Sequence, residues 1–225
     1  MGFSLRRFLL ASLSRQDVGI GQLDWKYLRF SYSQYGEDII AGALLNKPTG
    51  FYVDVGAYHP IVISNTYLFY RQGWRGICID ANPGALELFK QKRPRDILVH
   101  SAVSEQEGVA QFNITAAGPT AHLEGAGFSG VASEKLARTI NVQKRRLENI
   151  LRENLPPGQS IDFLSVDCEG HDLEVLRSND WQKYRPQVIA VEDFHEDSSS
   201  DICNFLAPLG YRHVLRTGVT RIFSR

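Results

Sequence analysis

The sequence predicts an α/β fold, a Rossmann-like sheet that is mostly parallel and closes in a C-terminal antiparallel hairpin. Three observations predict it. Short apolar runs alternate with helical patterns along most of the chain, the order that builds a parallel sheet with helices on both faces. One unit, Gly50 to Asn82 (GFYVDVGAYHPIVISNTYLFYRQGWRGICIDAN), reads as strand, glycine turn, helix and strand, with an acid near the end of each strand. The last two predicted strands, Tyr211 to Leu215 and Thr220 to Phe223, flank Thr217-Gly218, a hairpin turn.

Each element has its own signal. Ser31 to Leu45 carries Ile39, Ile40, Ala43 and Leu44 on one helical face, with a polar cluster at its start that either caps the helix or forms a lid over the ligand crevice. Phe51 to Val55 is a buried strand, and Gly56 lets the backbone turn sharply and admits a ligand closely. Ser64 or Asn65 caps a helix that Gly73 stops, and Trp74 to Ile79 forms the second strand, closed by Asp80. Asn82-Pro83 is a cap followed by proline at the first helical position. Ile97 to Val99 is the third strand, with Ser101 to Glu105 as its ligand-side loop, and Val109 to Ile114 is another short strand. A glycine-rich stretch from Ala116 to Ser133 reads as a loop, either a mobile part of an acceptor site or a tolerated surface insertion. Val142 to Leu155 reads as a helix with Leu147, Ile150 and Leu151 inward. Ile161 to Val166 and Val188 to Val191 are buried strands, followed by Asp167 and Glu192. Ser198 with Asp201 suggests a capping box.

Composition narrows the class. The chain has 225 residues, enough for one domain with a sizeable core. We read residues 1–30 as a surface segment and 31–225 as one domain. Hydrophobic content of 43% and charged content of 22% are those of an ordinary globular chain. A formal net charge of zero gives no general attraction to nucleic acid or to anionic lipid, so no nucleic-acid partner is expected. Cys78, Cys168 and Cys203 have no metal-ligand spacing and read as small buried hydrophobes. Their odd count favours a reducing, cytoplasmic setting. The apolar run near Arg6 and Arg7 is too short for a signal peptide or a membrane span, so no stable membrane insertion is expected.

A parallel βαβ unit leaves a ligand crevice at the carboxyl ends of its strands. An acid there accepts hydrogen bonds from both hydroxyls of a ribose, and Asp80 follows Gly56 at nearly the separation of about 20 residues that such units use. The glycine pattern for a pyrophosphate is missing, because Ala57, Tyr58, His59 and Pro60 follow Gly56. A mononucleoside without a diphosphate fits better, and S-adenosyl-L-methionine is one. An NAD-dependent oxidoreductase and a non-catalytic nucleoside-binding protein are the competing readings.

Four segments carry a family resemblance: SQYGEDII (Ser33–Ile40), VDVGAYHP (Val53–Pro60) with SNTY (Ser64–Tyr67), GWRGICIDANP (Gly73–Pro83) and IDFLSVDCEGHDLEVL (Ile161–Leu176). RRLENIL (Arg145–Leu151) and the terminal GVTRIFSR add to it, with Glu148 where aspartate is commoner. From about Ser31 onward the chain resembles FkbM-type S-adenosylmethionine-dependent methyltransferases. The resemblance implies a class I methyltransferase fold of seven strands with the last one antiparallel. It implies that Asp54 and Gly56 hold the methionine portion of the cofactor, that Asp80 takes the ribose and that Ser101 to Val103 border the adenine. Asn65, Ala81, Ser101, Ala102 and Asp167 complete the expected cofactor set. It further implies methyl transfer to a hydroxyl oxygen of a saccharide, lipid-linked or natural-product acceptor, a small-molecule partner.

A hydroxyl acceptor must lose a proton, so a base or a metal is useful. Asp167 and Glu169 are two apart and point to one side of an extended chain, and Glu192, Asp193 and His195 follow the neighbouring strand. We assign Asp167, Glu169 and His195 as the catalytic group. A divalent cation on oxygen ligands stays open, and no metal ligand is assigned. The oligomeric state is not legible.

Overall fold

A computed structural model describes residues 29–115, 122–123, 136–195 and 200–225. The chain divides into Met1–Phe30, of which Arg29 and Phe30 are described, and Ser31–Arg225. The surface reading of the first unit falls almost wholly outside the described residues. The second unit carries both sheets and all the helices described below residue by residue.

The main sheet contains β1 (Phe51–Val55), β2 (Arg75–Asp80), β3 (Ile97–His100), β8 (Phe163–Val166), β9 (Val188–Glu192), β10 (Arg212–Thr217) and β11 (Thr220–Ser224). Across it the order is β3, β2, β1, β8, β9, β11, β10. The first five are mutually parallel, while β11 runs antiparallel to both β9 and β10. This is the expected α/β, class I methyltransferase sheet with its closing hairpin.

Alternation along the strands divides the core. Phe51, Val53 and Val55 of β1 pack with Ile77, Ile79, Leu164, Val166, Ile189 and Val191. Helices α4 (Leu147–Asn154), α5 (Asp172–Arg177) and α6 (Asp201–Leu206) cover that face through Ile150, Leu151, Val175, Leu176, Ile202 and Leu206. Tyr52, Cys78, Phe163, Val188 and Ala190 point to the other face. There α1 (Glu37–Leu45), α2 (Tyr67–Arg71) and α3 (Pro83–Lys92) supply Ala41, Leu45, Phe69, Tyr70 and Phe89. Because side chains alternate with period two, Asp54, Asp80 and Glu192 fall on this second face, in line with Tyr52, Cys78 and Ala190.

A second sheet was not foreseen. Strands β4 (Ala102–Val103), β5 (Gly108–Thr115), β6 (His122–Leu123) and β7 (Leu136–Arg145) form it in the order β4, β7, β5, β6. The helix expected over 142–155 is therefore corrected: Val142 to Arg145 belong to β7, and α4 begins at Leu147. The physical reason is the partner strand, since β5 pairs with β7 from Gly108↔Lys144 to Thr115↔Leu136. Ser101 to Glu105 likewise contains a short strand rather than loop alone, and Val109 to Ile114 lies in this sheet.

Other boundaries shift for local reasons. The leading helix begins at Glu37 rather than Ser31, because Gly36 takes a left-handed φ of 86° and buried Asp38 draws the preceding segment around itself. Asp38 accepts from Ser31 Oγ at 2.7 Å, Tyr32 N at 2.7 Å and Ser33 Oγ at 2.9 Å. Asn82 caps α3 as expected, accepting from Gly84 N at 2.9 Å with Pro83 at the first position. Helix α6 is capped by Ser200, which accepts from Cys203 N at 3.2 Å; Ser198 lies outside the described residues. Apart from β6, the glycine-rich stretch 116–133 lies outside them too. No helix among the described residues is long and apolar enough to cross a membrane.

Candidate active site

A cavity of about 330 Å³ opens at the carboxyl ends of β1, β2, β8 and β9. Its size falls in the range of small-molecule sites. Asp54, Gly56, Asn65, Asp80, Ala81, Ser101, Ala102, Asp167 and Glu169 all line it. Of the expected site residues, His195 alone stands apart from this lining. Its side chain is 74% exposed, with Nδ1 3.2 Å from Asp193 Oδ1. Asp193 turns away from the cavity to receive Arg221 Nε at 2.6 Å. His59 is also local scaffold, accepting the N–H groups of Ile61 and Val62 at 3.1 and 2.9 Å.

The glycine turn has a sharper reason than ligand access. Gly56 has φ 75°, and a Cβ built there would overlap the carbonyl oxygen of Asp167. Its N–H donates to Ile79 O at 3.0 Å, while Asp167 N donates to Val55 O at 3.0 Å. Three strand ends are thus held by one another's backbone at the floor of the cavity. The next loop is pinned to Asp80, whose Oδ2 accepts from Tyr58 N at 2.7 Å and whose Oδ1 accepts from Asn82 N at 2.6 Å. Each carboxylate oxygen keeps further acceptor capacity toward the cavity. Burial pushes the Asp80 carboxyl up to about 6, although these two backbone donors act in the opposite direction.

Asp54 is buried and its register partner across β8 is Ser165. Thr66 Oγ1 donates to Asp54, and Asn65 Nδ2 donates to Ser165 Oγ at 3.1 Å. Behind Thr66 lies Arg93, fully buried, which donates to Thr66 Oγ1 at 3.0 Å, Tyr52 OH at 2.8 Å and Asp96 Oδ2 at 2.7 Å. Sequence reasoning missed this chain of contacts. Its only trace is polar Ser165 inside the apolar run FLSV, since an arginine closing a helix ordinarily reads as a solvated charge.

Asp167 and Glu192 stand at the adjacent ends of β8 and β9, where Val166 pairs with Val191, close enough to interact electrostatically. Burial, reinforced by Asp54 and Glu37, raises the Asp167 carboxyl; burial, reinforced by Asp167, Asp172 and Glu169, raises that of Glu192. Glu192 is only 7% exposed, and its Oε2 has no hydrogen-bond partner. Beside them the loop Cys168–Gly170 is shaped by Asp172, which accepts from Cys168 N at 2.9 Å and Gly170 N at 3.1 Å. Glu169 takes a left-handed φ of 51°, an arrangement that costs a non-glycine residue energy and concentrates at functional sites. His171 also lines the cavity, with Nδ1 unpartnered.

The rest of the wall was legible only at Gln34 and Tyr35, which belong to the polar cluster that reads as a cap or a lid over the crevice. Phe112 of the second sheet, Gln34 and Tyr35 ahead of α1, Phe194 and Val219 all line the cavity. Tyr35 is anchored where Thr217 Oγ1 donates to its carbonyl at 2.8 Å. Ala81, Ala102, Phe112 and Val142 form a small core of their own, which joins the second sheet to the adenine-side wall expected at Ser101–Val103.

The model of the methyltransferase FkbM domain matches residues 54–213, well over half of the chain and nearly all of the strands that build this cavity. The chain belongs to the FkbM methyltransferase family. Membership makes S-adenosylmethionine-dependent methylation its activity class. No curated protein matches this FkbM chain. Among solved structures it is similar to the precorrin-6y C5,15-methyltransferase of Geobacter metallireducens, at 11% identity and a TM-score of 0.42, covering 83% of this chain and 84% of that one. It is similar to the METTL16 methyltransferase domain at 13% identity and 0.47, covering 82% and 63% respectively. A TehB-like S-adenosylmethionine-dependent methyltransferase from Corynebacterium glutamicum gives 12% and 0.42, over 98% of this chain and 95% of that one.

The residues present fit this cofactor. Asp54, Asp80, Asp167, Glu169 and Glu192 line the cavity, and no lysine or arginine does so among the described residues. That surface favours a cationic sulfonium and disfavours a diphosphate. No helix follows the glycine turn directly either, since α2 begins only at Tyr67. Among the described residues, no group of three or more histidine, cysteine or acidic side chains is arranged to hold a metal ion.

Proposed function

We propose that this FkbM domain methylates a hydroxyl oxygen of a saccharide, lipid-linked or natural-product acceptor. The observation that carries the reading is the acid-lined cavity at the strand ends, free of lysine and arginine among the described residues. Bound S-adenosylmethionine supplies a methyl group already activated on sulfur. The chain then has to align acceptor and methyl, which can supply much of the rate, and to take a proton from the hydroxyl. Asp80 receives the ribose hydroxyls. Asp54, held by Thr66, and Asn65, held on Ser165, receive the polar end of the methionine portion. Ser101, Ala102, Val103 and Phe112 border the adenine. Asp167 and Glu169 face the remaining space, where the acceptor enters between Tyr35 and Phe194, both of them half-exposed aromatic rings.

The test is calorimetry with S-adenosylhomocysteine, NAD and ATP, followed by label transfer from methyl-labelled S-adenosylmethionine to a panel of methyl glycosides. S-adenosylhomocysteine should bind, and Asp80→Ala should weaken it by about 1.5–3 kcal/mol through loss of charge-assisted hydrogen bonds. Binding of NAD in its place would overturn the cofactor reading. Unchanged affinity in Asp80→Ala would remove the ribose assignment.

A further inference from the structure

We propose that Asp167 and Glu192 work as one proton-accepting pair, and that Glu192 is the catalytic residue that meets the acceptor hydroxyl. This rests on the hydroxyl-methylation reading and deepens it. The expected partners of Asp167 were Glu169 and His195, but the sheet selects differently. Strands β8 and β9 are parallel neighbours in which Val166 pairs with Val191. The next residue of each strand is therefore Asp167 and Glu192, side by side at the ligand edge. His195, three residues farther on, has already left it for solvent.

Two observations show that Glu192 faces a ligand rather than completing the scaffold. Its side chain is more than nine-tenths buried, and yet Oε2 has no hydrogen-bond partner while the residue lines the cavity. A buried acceptor left unmade is costly, so such atoms commonly await a partner. Its neighbours are Asp167 at the end of β8, within reach of a shared proton, and Glu169, whose left-handed conformation belongs to the adjoining loop.

The surroundings set the charge. The groups facing the pair are Asp54 on β1, Glu37 on α1, Glu169 and Asp172 in and after the loop, and the Cys168 thiol, which burial keeps protonated. No cation stands among them. Two adjacent carboxyls in such a place cannot both ionise, so they hold one proton between them. With Glu192 protonated and donating to Asp167, Oε2 is left as the unpartnered acceptor beside the cavity.

The step then balances without any further reagent. The acceptor O–H bond breaks as its proton passes to Glu192 Oε2, and the proton Glu192 already held passes to Asp167. The electron pair freed on the acceptor oxygen forms the bond to the methyl carbon, and the electrons of the old methyl–sulfur bond stay on sulfur. The pair finishes neutral, with one proton on each carboxyl, and gives one back to solvent after release. A relay of this kind suits an acceptor whose hydroxyl is neutral at rest.

The deciding experiment compares the wild-type protein with Glu192→Gln by infrared difference spectroscopy. At pH 7 the wild type should show a protonated-carboxyl C=O band that is missing from Glu192→Gln and that disappears from the wild type when the pH is raised well past neutral. S-adenosylhomocysteine affinity should stay within about twofold in the variant, which shows that the fold and the cofactor site survive. On any glycoside of the panel that is methylated, kcat should fall about a hundredfold or more with little change in KM, the scale of losing acid–base assistance. An identical spectrum in Glu192→Gln, or full turnover in it, overturns the pair. Failure of the wild type to bind S-adenosylhomocysteine would instead overturn the cofactor reading, so the two failures are separable.

Discussion

At the scale of single residues, the site is assembled by groups that answer each other across strand ends. Gly56 is required because the carbonyl of Asp167 occupies the space a side chain would take, and because its φ of 75° lies in the left-handed region. A cofactor gains from the same closeness, yet the demand is present without one. Gly56→Ala should cost on the order of 3 kcal/mol, combining a left-handed penalty of about 1–2 kcal/mol with the overlap against backbone. Urea unfolding measures it. A loss below about 1 kcal/mol would mean that the β1 turn and the Asp167 backbone can separate easily. Asn65 makes a contrasting case. Its place in SNTY suggests either a helix cap or a ligand contact, and the structure gives it no cap role: Thr66 stands at the capping position, while Ser64 Oγ accepts from Tyr67 N at 3.2 Å. Asn65 can therefore reach Ser165 beside Asp54.

At the scale of elements, α3 links two parts of the cavity wall, Asp80 and Asp54. Its first turn starts from Asn82, two residues after Asp80, where capping is worth about 1 kcal/mol. Its last turn ends at Arg93, which reaches beneath the sheet edge to Thr66 and, through it, to Asp54. Arg93 is also flanked by the rings of Tyr52, Tyr70 and Phe89, with guanidinium-to-centroid distances of 5.2, 5.2 and 4.9 Å. Its ion pair with Asp96 is fully buried on both sides. Removing one partner of such a pair leaves the other as an uncompensated buried charge, so Arg93→Met should cost about 3–5 kcal/mol in chemical denaturation. A cost under about 1 kcal/mol would show that the network is not held by charge.

At the scale of the whole molecule, the acids gathered at one sheet edge make stability depend on pH. Burial pushes Asp80 up to about 6 and Asp172 up to about 8, and Asp54, Asp167 and Glu192 are raised as well. A carboxyl with a raised folded-state value binds more protons folded than unfolded. Its stabilising share is complete below the unfolded value of about 4 and is lost as the pH climbs through the folded value. His59 and His213, both lowered by burial, act in the other direction, but both sit nearer the surface and weigh less. The thermal midpoint should therefore fall between about pH 6 and about pH 8, and Glu192→Gln should flatten part of that fall. A midpoint that rises across this interval would show that the clustered acids are ionised in the folded protein at no cost.

Much of this was written locally along the chain. Short apolar runs, Gly56, the Asn82-Pro83 cap and the Thr217-Gly218 turn each act within a few neighbours, and from them follow the α/β class, the closing hairpin and the strand-end positions of Asp54, Asp80, Asp167 and Glu192. The pattern Thr139, Ile140, Val142 was a legible strand signal as well, but basic residues running into α4 carry the same apolar spacing as a helix, and only β5 decides between them. Tertiary structure alone determined the rest. Which acid stands beside Asp167 depends on β9 being the neighbour of β8 in that register, and whether Arg93 is solvated or buried depends on Tyr52, Thr66 and Asp96, all distant in sequence or placed by other elements. Backbone preferences and hydrophobic period are properties of adjacent residues, whereas the partner of a buried charge is a property of the packed sheet, and it exists only once the strands have met.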